Sequence, residues 1–206
     1  MAGARQQVLD ALTDALISGS IQTLRVADLL REAHVNRSTF YYHFGSLADV
    51  YKQLIEDGLA PIEDCLTLPG DVTSANLRGA FREAQYRFYV HCKERARLYH
   101  ALLWGDLREQ FIYAFIERME QFLMENYRLR LDMSQLGKDS TDDAAYHMLF
   151  YRTTAYQQFS ILETWAAQDF EQPCELVAEV ATHIILPSSG PYSVELRRAA
   201  PRRCSA

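Results

Sequence analysis

The chain has 206 residues, 49% of them hydrophobic, and a net charge of −6. That length suits one ordinary compact domain or a small domain fused to a larger one, and the hydrophobic share is too high for a disordered chain. The acidic balance argues against a protein that coats nucleic acid over its whole surface, yet it permits a locally positive DNA-facing patch.

The segment from Met1 to Ala15 carries Arg5, Asp10 and Asp14 and has no apolar h-region, so no secretory signal is expected. No stretch approaches the ~18 uncharged apolar residues of a membrane span. A soluble, cytoplasmic protein is expected. Helical periodicity dominates, no run of period-two alternation stands out, and no strand is expected.

The first helix is expected over Ala4 to Ser18, with an apolar stripe of Val8, Leu9, Leu12, Leu16 and Ile17, and Gly19 ends it. A second runs over Val26 to Ala33, with Val26, Leu29, Leu30 and Ala33 inward. After the turn Ala33-His34-Val35, a third covers Arg37 to Phe44 and stops at Gly45. A fourth begins at Ser46, where Ser46-Leu47-Ala48-Asp49 has the form of a capping box.

Thr67 to Val72 reads as a loop. Helices follow from Ser74 or Ala75 to Arg95, from Ala96 to Trp104 and from Asp106 to Tyr127. Ser134 to Ser140 is polar and loop-like. Two more helices are expected over Thr141 to Ala167 and Pro173 to Ile185, with Pro173 suited to a first turn. The stretch from Pro187 to Ala206 holds three of the six prolines and four arginines against Glu195, and reads either as a flexible basic tail or as residual non-native sequence.

Chemistry concentrates in Val26 to Phe44, VADLLREAHVNRSTFYYHF. Two short helices three residues apart must cross steeply, which is the helix-turn-helix arrangement that offers its second helix to the major groove. Phe40 and Phe44 are four apart and share a face, so they anchor the helix. Successive positions turn by ~100°, so Tyr41, Tyr42 and His43 cannot all face one core. Arg37 can pair with guanine edges or a phosphate, Ser38 and Thr39 with a base edge or a phosphate, and Tyr41, Tyr42 and His43 with phosphates. Asn36 can cap the helix, which also aims free backbone N–H groups at a phosphate.

NRSTFYYHF resembles the recognition helix of the TetR/AcrR family, and VNRSTFYYHF is similar to regulators of the dihydroxyacetone-kinase operon type. The likeness covers Val8 to Leu54 well and rests beyond that on helix count and on Trp165 before a short final helix. It implies an all-α fold of about nine helices. Residues 1–55 would form a helix-turn-helix DNA-binding domain, 56–187 a helical effector-binding and dimerisation domain, and 188–206 a flexible tail.

The resemblance also implies a homodimer on double-stranded DNA with contacts at Arg37, Ser38, Thr39, Tyr41, Tyr42 and His43. Three positions depart from the family pattern. His34 stands where Gly is usual in the turn, and Arg25 where Thr usually caps, exchanging a cap for a cation that can meet phosphate. Leu47 replaces a common Lys. Residues 1–55 hold Arg5, Arg25, Arg31, Arg37 and Lys52 against Asp10, Asp14, Asp28, Glu32 and Asp49, so affinity is expected to be modest unless these charges are segregated.

The larger domain is rich in rings, which can fill a core or line an apolar cavity with a few polar tips. Tyr89, Trp104, Phe115, Tyr151 and Arg152 are the candidate ligand-binding residues. Tyr151, Ala155, Gln158, Leu162 and Trp165 step at helical spacing, as do Leu176, Val180, His183 and Ile184. These two stripes face either a second copy or their own core, and the dimer reading follows the family.

Cys65, Cys92, Cys174 and Cys204 form no Cys-x-x-Cys pair and read as buried or incidental thiols. His91, His100 and His147 lie apart, so neither metal nor cofactor is expected. Glu117 with Glu120, and Asp142 with Asp143, are paired acids of the kind found on solvated faces, and no nucleophile–base arrangement accompanies them, so the chain is not expected to be an enzyme. The reading is a repressor released by a small-molecule effector. A TetR-fold co-activator or adaptor controlled by a protein partner is the alternative, favoured if its own rings fill the pocket.

Overall fold

The computed structural model describes residues 3–19, 21–70, 72–73, 75–131, 144–186 and 192–196. The helices are α1 (Ala4–Ser18), α2 (Val26–Ala33), α3 (Arg37–His43), α4 (Leu47–Leu59), α5 (Pro61–Leu66), α6 (Leu77–Glu94), α7 (Ala96–Trp104), α8 (Arg108–Asn126), α9 (Ala144–Ala166) and α10 (Cys174–Ile185), with a single 3₁₀ turn at Ile21–Thr23. Among the described residues the only strands form one ribbon, in which β1 (Tyr127–Leu131) pairs antiparallel with β2 (Tyr192–Leu196), Tyr127 opposite Leu196 and Leu131 opposite Tyr192.

That ribbon departs from the expectation of no strand, and its second strand, Tyr192–Leu196, lies within the segment read as a tail. Tyr-Arg-Leu-Arg-Leu and Tyr-Ser-Val-Glu-Leu both alternate apolar and polar residues over five positions. Each is too short to announce itself, and the register sets apolar positions opposite apolar ones, Leu129 against Val194. The Ser134 to Ser140 loop, the start of the next helix at Thr141, Asp142 with Asp143, and the tail arginines lie outside the described residues.

The described chain divides into two compact units, Met1–Ala60 with Arg95–Ala114, and Pro61–Glu94 with Phe115–Ala206. The first unit therefore reaches five residues past the expected boundary at 55 and takes in α7 and the start of α8.

In the first unit, Val8, Leu9, Leu12 and Leu16 of α1 are buried against α2, α3 and α4. Each fully buried aliphatic or ring contributes about 1.5–3 kcal/mol. Ile17 points outward instead, because it lies ~100° from Leu16 around the helix. Gly19, at φ 75°, closes α1 with its N–H on Ala15 and Leu16. Leu29, Leu30 and Ala33 bury the inner face of α2, and Val26 is half-buried.

His34 ends α2 at φ 53°, the left-handed conformation that favours glycine, and Val35 N–H returns to the Leu30 carbonyl at 3.1 Å. Ser46 caps α4 as expected: its Oγ accepts from Asp49 N–H at 3.3 Å and donates to Asp49 Oδ2 at 3.0 Å. Farther along α4, Gly58 lets α7 and α8 approach. A Cβ there would stand 2.6 Å from Leu102 Cδ1 and 3.1 Å from Phe111 Cε2, and Tyr99 donates its hydroxyl to the Gly58 carbonyl at 3.0 Å.

In the second unit, α6 packs on α5 and α10, and α10 on α9. The interior is made of rings in edge contact. Phe115 meets Phe159 at 5.5 Å, Tyr89 meets Trp165 at 5.5 Å, and Trp165 meets Phe170 at 4.9 Å. Asp169 and Phe170 take φ 51° and 56°, a left-handed pair that turns the chain between α9 and α10 and drives Phe170 into the core.

Candidate nucleic-acid interface

The seven residues of α3 divide sharply by environment. Phe40 is fully buried (0% exposed) and Phe44, which follows α3, is buried beside it, their ring centroids 5.6 Å apart. Tyr42 is 84% exposed, Arg37, Ser38, Tyr41 and His43 are also exposed, and Thr39 is half-buried. The two phenylalanines thus anchor the helix from beneath while its polar and ring-bearing side chains face outward.

Asn36 caps α3, its Oδ1 accepting from Thr39 N–H at 2.8 Å. The same oxygen accepts from Ser38 Oγ at 2.8 Å, so Asn36 and Ser38 are engaged with one another. Arg25 stands exposed at the start of α2 and makes no side-chain cap, as expected of an arginine at that position.

The exposed side chains are braced. The Arg37 guanidinium lies over the Tyr41 ring at 5.6 Å, Tyr41 meets Phe40 edge-on at 5.2 Å, and Tyr42 meets His43 at 5.0 Å. Charge is segregated as well. No carboxylate occurs between Glu32 and Asp49 in the sequence. Asp10, Asp14, Asp28 and Glu32 instead line a cleft of about 700 Å³ to which α3 contributes no residue. There Arg31 pairs with Asp28 at 3.1 Å and Glu32 at 3.7 Å, and Asp14 is paired with Arg97.

Comparison with protein-family models and with curated proteins gives no match. Solved structures do match. A TetR-family transcriptional regulator from Streptomyces coelicolor is 14% identical, with 90% of this chain and 80% of that one covered and a TM-score of 0.56. The dihydroxyacetone kinase operon activator DhaS is 14% identical, with 89% and 94% covered and a TM-score of 0.56. SmeT, the repressor of the Stenotrophomonas maltophilia multidrug efflux pump SmeDEF, is 16% identical, with 90% and 89% covered and a TM-score of 0.57. The fold is that of the TetR-type regulators.

Within this TetR-type fold the expected ligand residues fall in both units. Trp104 belongs to the first unit and is 48% exposed, stacked on His100 at 5.1 Å. The others belong to the second. Tyr89, Phe115 and Tyr151 are buried, and their polar tips are engaged: Gln158 Nε2 donates to Tyr89 Oη at 3.2 Å and to Gln85 Oε1 at 2.9 Å, and Tyr151 donates to the Tyr127 carbonyl at 2.9 Å. Burial holds the Tyr89 phenol well above its ordinary range, so it is neutral. Arg152 faces outward and is paired with Glu120 at 2.8 Å, which also accounts for one of the paired acids.

The two expected helical stripes also separate. Leu176, Val180, His183 and Ile184 of α10 are exposed, Leu176 by 53%. On α9 the expected stripe, Tyr151, Ala155, Gln158, Leu162 and Trp165, is buried within the single chain, and Trp165 also borders a surface groove. The outward face of α9 carries Tyr156, Ser160 and Thr164, with Ile161 half-buried. Ser160, Ile161 and Thr164 join Leu176 and Val180 around a groove of about 270 Å³ floored by Trp165. The spacing Tyr156, Ser160, Thr164 was available in the sequence, but its small polar residues conceal the stripe. No described helix is long and apolar enough to cross a membrane.

Proposed function

We propose that the protein is a non-catalytic transcriptional regulator that binds a palindromic operator as a homodimer through α3. The observation that carries this reading is the split in α3: Phe40 and Phe44 buried, with Arg37, Tyr41, Tyr42 and His43 outward on a surface free of carboxylates from 33 to 48. Such a helix can enter a major groove, with its polar tips on bases and phosphates. Arg25, Arg37, Ser38, Thr39, Tyr41, Tyr42 and His43 make the contacts, and Asn36 shapes the helix start.

The dimer surface is the apolar face of α10, Leu176, Val180 and Ile184, with Tyr156, Ser160, Ile161 and Thr164 of α9. Paired α9 and α10 helices from two subunits make a four-helix contact and set two recognition helices about one DNA turn apart, ~34 Å. A small ligand bound in the second unit, with a preference for a different dimer spacing, would release the DNA, which makes the protein a repressor.

One observation favours the alternative, a co-activator or adaptor switched by a protein partner. The polar tips of Tyr89 and Tyr151 are engaged by the chain's own groups and the rings pack on each other. DhaS, with the same fold, is an operon activator.

The test is a mobility shift with duplex DNA from upstream of the protein's own coding sequence at low salt. A discrete shifted band, abolished by Tyr42→Ala with His43→Ala, supports the proposal. No shift with any such fragment contradicts it.

A further inference from the structure

We propose that Arg37 and Tyr41 act as one reading unit, in which the Tyr41 ring fixes the plane of the Arg37 guanidinium so that its edge selects a guanine. This rests on the proposal that α3 enters a DNA groove. Arg37 is the first residue of α3 and Tyr41 is one turn on, so both lie on the same face. The guanidinium carbon stands 5.6 Å from the ring centroid, within the range of a cation–π contact. Among the described residues no carboxylate pairs with Arg37, whereas Arg5 and Arg31 are both paired.

The ring beneath the guanidinium is itself held. Tyr41 meets Phe40 edge-on at 5.2 Å, and Phe40 is fully buried against Phe44. A chain of rings therefore runs from the core to the guanidinium. Stacking occupies the face of a guanidinium and leaves its N–H edge free. A phosphate can be met from many directions by a flexible cation, whereas the O6 and N7 atoms of guanine demand two parallel N–H groups in one plane. Fixing that plane before binding serves the guanine edge, whose two acceptors have one fixed orientation in the groove, more than a phosphate, whose oxygens can be met from several sides. Tyr41 is thus a positioning residue through its ring, and its exposed hydroxyl is left for the DNA backbone.

Selection from a randomised duplex library with the full-length chain tests this, followed by affinity measurements on the selected duplex and on the duplex altered at each guanine. Wild type should prefer one guanine per half-site by about 5- to 150-fold, the discrimination given by one bidentate pair. Arg37→Lys and Tyr41→Leu should each erase most of that preference, and the double variant should lose no more than either alone. Tyr41→Phe should weaken binding to all duplexes alike yet keep the guanine preference, which separates the ring from the hydroxyl. Thermal unfolding of each variant distinguishes a lost preference from a lost fold.

If duplexes are enriched but Tyr41→Leu keeps the guanine preference, or Tyr41→Phe loses it, the coupling is overturned while the DNA-binding proposal stands. If no duplex is enriched, both fall.

Discussion

Phe40 and Tyr42 sit two positions apart on α3 and meet opposite environments, one sealed and one 84% exposed. Phe40→Ala should therefore cost about 3–5 kcal/mol in chemical denaturation. Tyr42→Ala should change stability by no more than about 0.5 kcal/mol while weakening DNA binding. Equal effects of the two on stability would contradict the division of roles. His34 holds φ 53° at the end of α2, where a side chain is strained and glycine is not. His34→Gly is expected to raise stability by about 0.5–1 kcal/mol, read from the denaturation midpoint.

Cys65 and Cys174 titrate above the usual thiol range, chiefly through burial, with Asp64 adding to the effect at Cys65 and Lys93 opposing it at Cys174. A raised value leaves less thiolate at neutral pH. Labelling of both by a maleimide, mapped by peptide, should thus be slow at pH 7 and speed up as pH rises. Much at this scale was legible in the sequence, because the Asn36 and Ser46 caps, the Gly19 stop and the Phe40–Phe44 anchor are short-range chemistry that local spacing encodes.

At the scale of the element, legibility depends on how many faces a helix buries. α2 and α3 each have one inner face, so their apolar positions read correctly. α9 mixes rings, aliphatics and uncharged polar residues on every side, and spacing alone cannot tell a face turned to the chain's own core from one left outward. Tyr151, Ala155, Gln158, Leu162 and Trp165 turn inward in the single chain, while Leu176, Val180 and Ile184 of the shorter, one-sided α10 turn outward. The pairing of β1 with β2 joins segments far apart in sequence and leaves no local mark beyond five alternating residues. The close approach at Gly58 is also non-local. Gly58→Ala gains helix propensity of about 1 kcal/mol, yet its Cβ would press on Leu102 and Phe111 in the first unit's core. A net loss of about 1–3 kcal/mol is expected, measured by thermal unfolding, and a stabilised variant would show that those side chains can yield.

Over the whole molecule, a net charge of −6 is compatible with the proposed DNA binding through segregation. Arg5 and Arg31 are neutralised by Asp57, Asp28 and Glu32, which leaves Arg25, Arg37 and Lys52 without a carboxylate partner among the described residues. Three cations per subunit give a dimer a slope of about −5 in log K against log salt. A slope near zero would contradict this account of the charges. Leu176→Glu with Val180→Glu should convert a dimer to a monomer in sedimentation and weaken operator binding, since a lone subunit holds only one half-site.

The central claim, that the outward face of α3 is the surface that meets DNA, is tested most directly by site-specific photocrosslinking. A photoreactive phenylalanine derivative replaces Tyr42 in one variant and Leu176 in another, and each is irradiated with duplex DNA. Crosslinking through position 42 and none through position 176 is the result expected. DNA that binds but crosslinks only through position 176, or through neither, would contradict the claim.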